Sequence, residues 1–171
     1  SFFRVRGLDS ELGAVQINGI PMNKLFNGRP QWSNWGGLND MLRNQELSLG
    51  SQSSDYNFGG LIGSTNISTR ASEYRVGSRI TYSSSNRSYT NRAMFSHASG
   101  LNDKGWAYAI SAGNRWGESG FADGTFYDAQ SLLLSVEKVL EKQSINLTLI
   151  AAPNRRGNPH LIPKKFMTLE E

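Results

Sequence analysis

Cysteine is absent from the 171 residues. Disulfides, thiol nucleophiles and thiolate metal sites are therefore excluded. Histidine is nearly absent: His97 and His160 are the only two, and neither has an acidic neighbour in sequence. Charged residues make up 19% and hydrophobic residues 37%, both low for a soluble globular chain. No apolar run is long enough for a transmembrane helix; the longest clusters lie around Leu132 to Leu134 and Leu147 to Ala152. That leaves a membrane barrel open, because barrel strands need only about 9–11 residues and alternate in polarity. No signal-peptide pattern is expected either, since Ser1-Phe2-Phe3-Arg4 already reads as a strand.

The chemistry of catalysis is also scarce. Gly59-Gly60-Leu61-Ile62-Gly63-Ser64 is glycine-rich but has no lysine for a phosphate loop and opens no helix. Asp123 and Asp128 flank Gly124 without the spacing of a calcium loop. No Ser/His/Asp arrangement is present. The expectation is no enzyme, no cofactor and no metal. The net charge of +4 comes from arginines that are scattered, often as Asn-Arg pairs. Nucleic-acid binding needs them on one face, so no nucleic-acid partner is expected.

Glycine is plentiful, at 18 residues, and serine and asparagine are abundant. That mixture disfavours long helices and suits short strands joined by turns. Phe3 to Gly7 reads as a strand ending in a turn. Val15 and Ile17 alternate with Gln16 and Asn18, and Asn18-Gly19 stops the run. Asn34 can cap a short helix with Leu38, Met41 and Leu42 on one face, ending near Asn44. Glu46 to Gly50 is a small strand or turn, and Thr65 to Thr69 alternates around Ile67. Residues 1–70 thus read as a compact α+β unit.

After Arg70 the pattern changes to longer alternation. Tyr74, Val76, Ile80 and Tyr82 alternate with Arg75, Gly77, Arg79 and Thr81. Tyr89 to Ala98 follows, then Trp106, Tyr108, Ile110 and Ala112 against Ala107, Ala109, Ser111 and Gly113. Trp116 to Ala129 reads as a long loop. Leu132, Leu134 and Val136 alternate with Ser131, Leu133, Ser135 and Glu137. Ile145, Leu147, Leu149 and Ala151 form the last run, ended by Pro153. About five strands in hairpin order result, each with one apolar face and aromatics near the ends. Two readings fit: a membrane barrel with interfacial aromatics, or a soluble antiparallel sheet with its apolar face on a core.

The order of landmarks carries a resemblance. Arg4-Val5-Arg6-Gly7, Ile17-Asn18-Gly19, Trp35-Gly36-Gly37-Leu38-Asn39-Asp40 and Gly59 to Arg70 resemble the plug domain of TonB-dependent outer-membrane receptors of the Bacteroidetes type. Tyr82 to Tyr89, Gly105-Trp106-Ala107-Tyr108, Gly124 to Ala129 and Ala151 to Gly157 resemble the first strands of that family's barrel. The resemblance implies an α+β plug (C-terminal part, 1–70), then antiparallel strands of an outer-membrane β-barrel (71–157). A divergent tail occupies 158–171. It further implies nutrient import at the cell outer membrane, powered through TonB, which would act on a segment missing from this chain. Outer-membrane lipid, a nutrient ligand and a surface lipoprotein are the other implied partners. Arg4, Arg6 and Arg70 match charged plug positions, either paired with acidic barrel groups or solvated. Trp32, Trp35 and Trp116 are candidate ligand contacts. The family's barrel has about 22 strands, so the chain is expected to be a fragment with an incomplete barrel, by truncation or a shifted frame. The alternative is a soluble β-rich binding or adhesin-like module.

Overall fold

The computed structural model describes residues 7–58, 61–86, 89–119 and 125–157. The chain is β-rich, and its strands form two sheets.

The first sheet has four short strands in the order β2-β1-β4-β3: β1 Ala14–Ile17, β2 Ile20–Pro21, β3 Gln45–Ser48 and β4 Ser64–Ile67. β1 and β4 run parallel; the outer pairings are antiparallel. β1 turns into β2 through Asn18 and Gly19, both at positive φ (49° and 79°). Asn-Gly is the dipeptide that tolerates both left-handed positions of a two-residue hairpin. Asn23 ties the next loop back: its amide accepts from Val15 N at 2.8 Å and donates to Gly13 O at 2.8 Å and Gly28 O at 2.6 Å.

The helix expected after Asn34 does not form. A 3-10 turn, Trp32–Trp35, comes earlier, and Leu38 O accepts from Met41 N and Leu42 N in a single turn. Gly36-Gly37 explains the failure: Gly37 sits at φ +98°, outside helical space, and glycine costs more backbone entropy than other residues. Leu38, Met41 and Leu42 are nonetheless all buried, as a shared face requires. The helical content among the described residues is three 3-10 turns, so the first unit is a mixed sheet with loops rather than α+β. The strand expected at Phe3 to Arg6 lies outside the described residues.

Gly63, at φ +93°, lets β4 start hard against β3. A Cβ there would lie 2.0 Å from Ser48 O, a backbone atom that cannot step aside. Gly63→Ala should therefore cost about 3 kcal/mol and open the β3–β4 pair. Hydrogen exchange at Asn66 and Ser68, whose amides face β3 (Ser68 N donates to Asn44 O at 2.9 Å), would register it; unchanged protection would refute the claim.

The second sheet is an antiparallel meander: β5 Gly77–Ser84, β6 Asn91–Ala98, β7 Trp106–Gly117, β8 Tyr127–Val139, β9 Ser144–Ala151 and β10 Asn154–Arg156. β9 and β10 keep one register against β8, with Ala151 opposite Leu132 and Asn154 opposite Ala129. They are one strand interrupted at Pro153, which has no N–H to give but whose carbonyl accepts from Gln130 N at 3.0 Å. The loop expected over Trp116 to Ala129 is shorter than that, because β7 and β8 pair as far as Gly117 and Tyr127. Tyr74 does not open β5. The chain turns at Gly77 (φ +126°), and the Tyr74 hydroxyl donates to Met41 O at 2.8 Å.

Candidate functional site

The two faces of the second sheet differ in size and polarity. One face carries Ala107, Ala109, Ser111 and Gly113 on β7, and Ser131, Leu133, Ser135 and Glu137 on β8. Apart from Leu133 these side chains are small or polar, and nearly all are buried. The first unit packs on them. Its Val15, Ile17, Trp35, Leu38 and Ile67 share one core with Ala98, Ala107, Ala109 and Leu133. Alanine, serine and glycine let the loops of the first unit approach the sheet backbone closely: a Cβ on Gly37 would be 2.8 Å from Ser131 Oγ.

Two polar knots cross this contact. At the first, Glu137 is 1% exposed and accepts from three donors. Arg70 Nη1 reaches Oε1 at 3.2 Å; Ser72 N and Ser72 Oγ reach Oε2 at 3.0 and 2.7 Å. Arg70 Nη1 also donates to Ser144 Oγ at 2.7 Å. At the second, the Asn18 amide donates to Thr69 Oγ1 at 2.7 Å and accepts from Thr69 N at 2.8 Å. Thr148 Oγ1 lies 3.2 Å from Thr69 Oγ1, and Ser135 Oγ donates to Thr69 O at 2.7 Å. The Asn18-Gly19 hairpin is thus a turn whose side chain faces β8 and β9. Beside these knots, burial and then the Glu73 carboxylate hold the Tyr74 hydroxyl above the ordinary tyrosine range. It stays a neutral donor to Met41 O.

The other face holds the large apolar side chains and points away from the first unit. Ile80 is 82% exposed, Leu147 61% and Leu149 55%; Phe95, Tyr108, Leu132 and Ile145 are exposed beside them. Val136, Leu134 and Ile110 fill the middle, half-buried among these neighbours. Register places Ile110, Leu134 and Leu149 in one cross-strand row. On β7, Trp106 and Trp116 stand on this same face at the two ends. Their separation is roughly 34 Å along the strand, or roughly 26 Å along a membrane normal at a tilt of about 40°. Lys138, opposite Trp106, turns its ammonium over the indole at 5.1 Å and onto the Lys104 carbonyl.

The candidate site residues divide between these places. Arg70 sits at the knot with Glu137. Arg4 and Arg6 lie outside the described residues. Trp35, at 3% exposure, belongs to the core and is not open to a ligand. Trp32 is exposed and meets Trp35 edge-on at 5.7 Å. Trp116 lies on the outward apolar face. On the inward face, Arg115 lies against the Tyr89 and Tyr127 rings at 5.9 and 5.4 Å. His97 is outward, with Nδ1 2.8 Å from Ser78 Oγ. Asp123 and Gly124 lie outside the described residues, and no group of acids and histidines able to hold a metal occurs among the described ones.

Sequence reasoning missed Glu137, Thr148 and the second role of Asn18. The signal for Glu137 was present: it shares its strand phase with Ser131, Leu133 and Ser135, opposite Leu132, Leu134 and Val136, and that phase pairs with the Ala/Ser/Gly phase of β7. No helix among the described residues is long and apolar enough to cross a membrane, which says nothing of strands. No protein-family model matches the chain, and no curated protein matches it in sequence.

Proposed function

We propose that this chain contributes wall and plug to a TonB-dependent outer-membrane receptor, with residues 71–157 in the barrel wall and the unit before them inside. One observation carries the reading: the second sheet is inside-out by the standard of a soluble protein. A soluble sheet turns its large apolar face to the core and its polar face to water. Here the small and polar face takes the packing partner, and an apolar band between two tryptophans faces outward. A patch of that size needs cover, and hydrocarbon bounded by interfacial aromatics supplies it.

The inner contact suits a gate. The sheet offers mostly small side chains to the shared apolar core, and the directional ties across it are hydroxyls, amides and one ion pair, groups that exchange their partners for water at a modest net cost. A pull transmitted through TonB would separate such a contact far more readily than a close-packed leucine interface. Import of a nutrient ligand, with a surface lipoprotein as companion, follows from the sequence resemblance.

The absence of cysteine makes the test direct. Single cysteines would be placed at Ile80, Leu147 and Leu149 (outward) and at Ser111 and Ser135 (inward), in the protein assembled in its native membrane. Spin labels on the outward set should be relaxed by oxygen and shielded from a water-soluble nickel chelate. If the outward labels instead meet the chelate freely, the surface is wet and the receptor reading is wrong.

A further inference from the structure

Arginines that are scattered along the chain are gathered by the register. Arg92 on β6 stands directly opposite Arg115 on β7. Both lie in the inward phase, and Met94 and Gly113 form the next inward pair toward the first unit. The ladder bond from Ser99 N to Tyr108 O falls on the outward phase. Arg92 and Arg115 are therefore a pair without ladder bonds of their own, with Cα atoms about 4.5 Å apart. Arg156 on β10 shares the inward phase, opposite Tyr127. It stands one row, or about 7 Å, further toward the 118–126 connection. Arg92 and Arg115 are half-buried, and Arg156 is exposed.

Like charges directly opposite each other in a sheet repel, and no acid relieves them here. Asp128 falls in the outward phase, opposite Trp116 and Arg155. Among the described residues none of the three inward arginines makes an ion pair. Arg92 Nη2 meets the Met94 sulfur at 3.4 Å, a weak acceptor. Arg115 is held by packing instead. Its guanidinium lies against the Tyr89 and Tyr127 rings, whose centroids are 6.1 Å apart. A Cβ on Gly37 would come within 3.2 Å of Nη2, so the first unit closes up to it as well. Nε is sealed from water and cannot serve a ligand; that leaves the terminal nitrogens to donate. Arginine keeps its charge under all ordinary conditions, so the repulsion cannot be lost by deprotonation.

We propose that the Arg92–Arg115 pair, with Arg156 beyond it, seats the oxyanion group of a small acidic ligand: a carboxylate, a sulfate ester or a phosphate ester. Guanidinium forks match the paired oxygens of such groups. One oxyanion placed between two opposed forks cancels the repulsion that the empty pair sustains. Because the rings and the first unit already fix Arg115, little side-chain entropy is lost on binding. An uncharged ligand would leave the pair unrelieved. The seat lies where the first unit meets the sheet, toward the end with the longer connections. In a membrane barrel that end faces the cell exterior. The inference rests on the receptor reading for the ligand's route, and it narrows the nutrient to an acidic one.

The test is calorimetric titration of the full protein in mild detergent with citrate, sucrose octasulfate and myo-inositol hexakisphosphate, and with uncharged sucrose. At least one acidic probe should bind saturably, and which one does so tells carboxylate from sulfate from phosphate. Sucrose should give no binding. Arg92→Gln and Arg115→Gln should each weaken the acidic probe about ten-fold or more. They lie on different strands, so the result does not hang on one variant's folding. Arg155→Gln removes the same charge from the outward phase and should leave the affinity within about two-fold. No saturable binding of any acidic probe would overturn the seat. So would an equal loss in Arg155→Gln and Arg92→Gln, which would reduce the effect to net charge. The outward cysteine labels separate the two failures. Labels in lipid with no acidic probe bound remove only this seat. Labels in water with a probe bound at the arginines keep the seat and remove the receptor route.

Discussion

Glu137→Ala is expected to loosen the first unit from the second sheet by about 3 kcal/mol while leaving the β7–β8 ladder intact. The carboxylate is almost wholly buried and answers three donors at 2.7 to 3.2 Å. Removing one partner of a buried polar set costs more than the set contributed, because the others stay desolvated. Ser72 N suffers most, since a backbone donor cannot turn toward water. Arg70 suffers less: it is 40% exposed and rehydrates, which discounts the ionic part. Glu137→Gln keeps the shape and one acceptor and should cost roughly half as much. Arg70→Met alone should fall below either, and the cycle of Arg70→Met with Glu137→Ala should show coupling of about 1 kcal/mol. Hydrogen exchange separates the local effect from the global one. Amides from Thr69 to Glu73 should lose protection, while those of Ala107 to Asn114 keep theirs. Equal loss in both sets would mean that Glu137 holds the sheet itself rather than the contact, and the knot would not be a separable tie.

How far the sequence discloses this arrangement depends on the range of the interaction. Asn18-Gly19 is legible as a hairpin turn because the dipeptide alone meets the φ requirement. The alternation of Ile145, Leu147 and Leu149 is legible because strand side chains have period two. Which of two faces meets the partner is harder. Periodicity says that the faces differ, not where each one looks. The Ala/Ser/Gly phase of β7 and β8 held that information, since only small side chains permit a close neighbour. Contacts of long sequence separation leave no local trace. Thr148 is 79 residues from Thr69, and Glu137 is 67 from Arg70. The helix around Leu38 is a different kind of miss. Its apolar spacing is helical, and the burial follows it, but two glycines remove the backbone preference that spacing presupposes. Tyr74 fits the alternation that leads into β5, yet Gly77 turns the chain and the phenol is drawn to Met41 O instead.

Leu149→Arg carries the sharpest difference between a membrane and an aqueous setting. Leu149 shares its row with Leu134 and Ile110, midway between the Trp106 and Trp116 ends. It is more than half exposed. In water such a substitution belongs with surface changes and should move stability by no more than about 0.5 kcal/mol. At the middle of a bilayer an arginine on the lipid face costs about 2–4 kcal/mol. The companion is Ile145→Arg on the same strand and the same face, at the turn end beside Lys138. There the guanidinium reaches the interface, as the Lys138 ammonium does, and the cost should be near 0–1 kcal/mol. Refolding each variant into phospholipid vesicles and titrating with denaturant gives both values on one scale. A large cost at Leu149 with a small one at Ile145 is a depth profile, and a water-facing sheet has no depth. Two small and equal costs would place both residues in water and sink the barrel-wall assignment. Two large and equal costs would mean that the outward face packs on protein along its whole height, and the band would then be a subunit interface rather than a lipid surface.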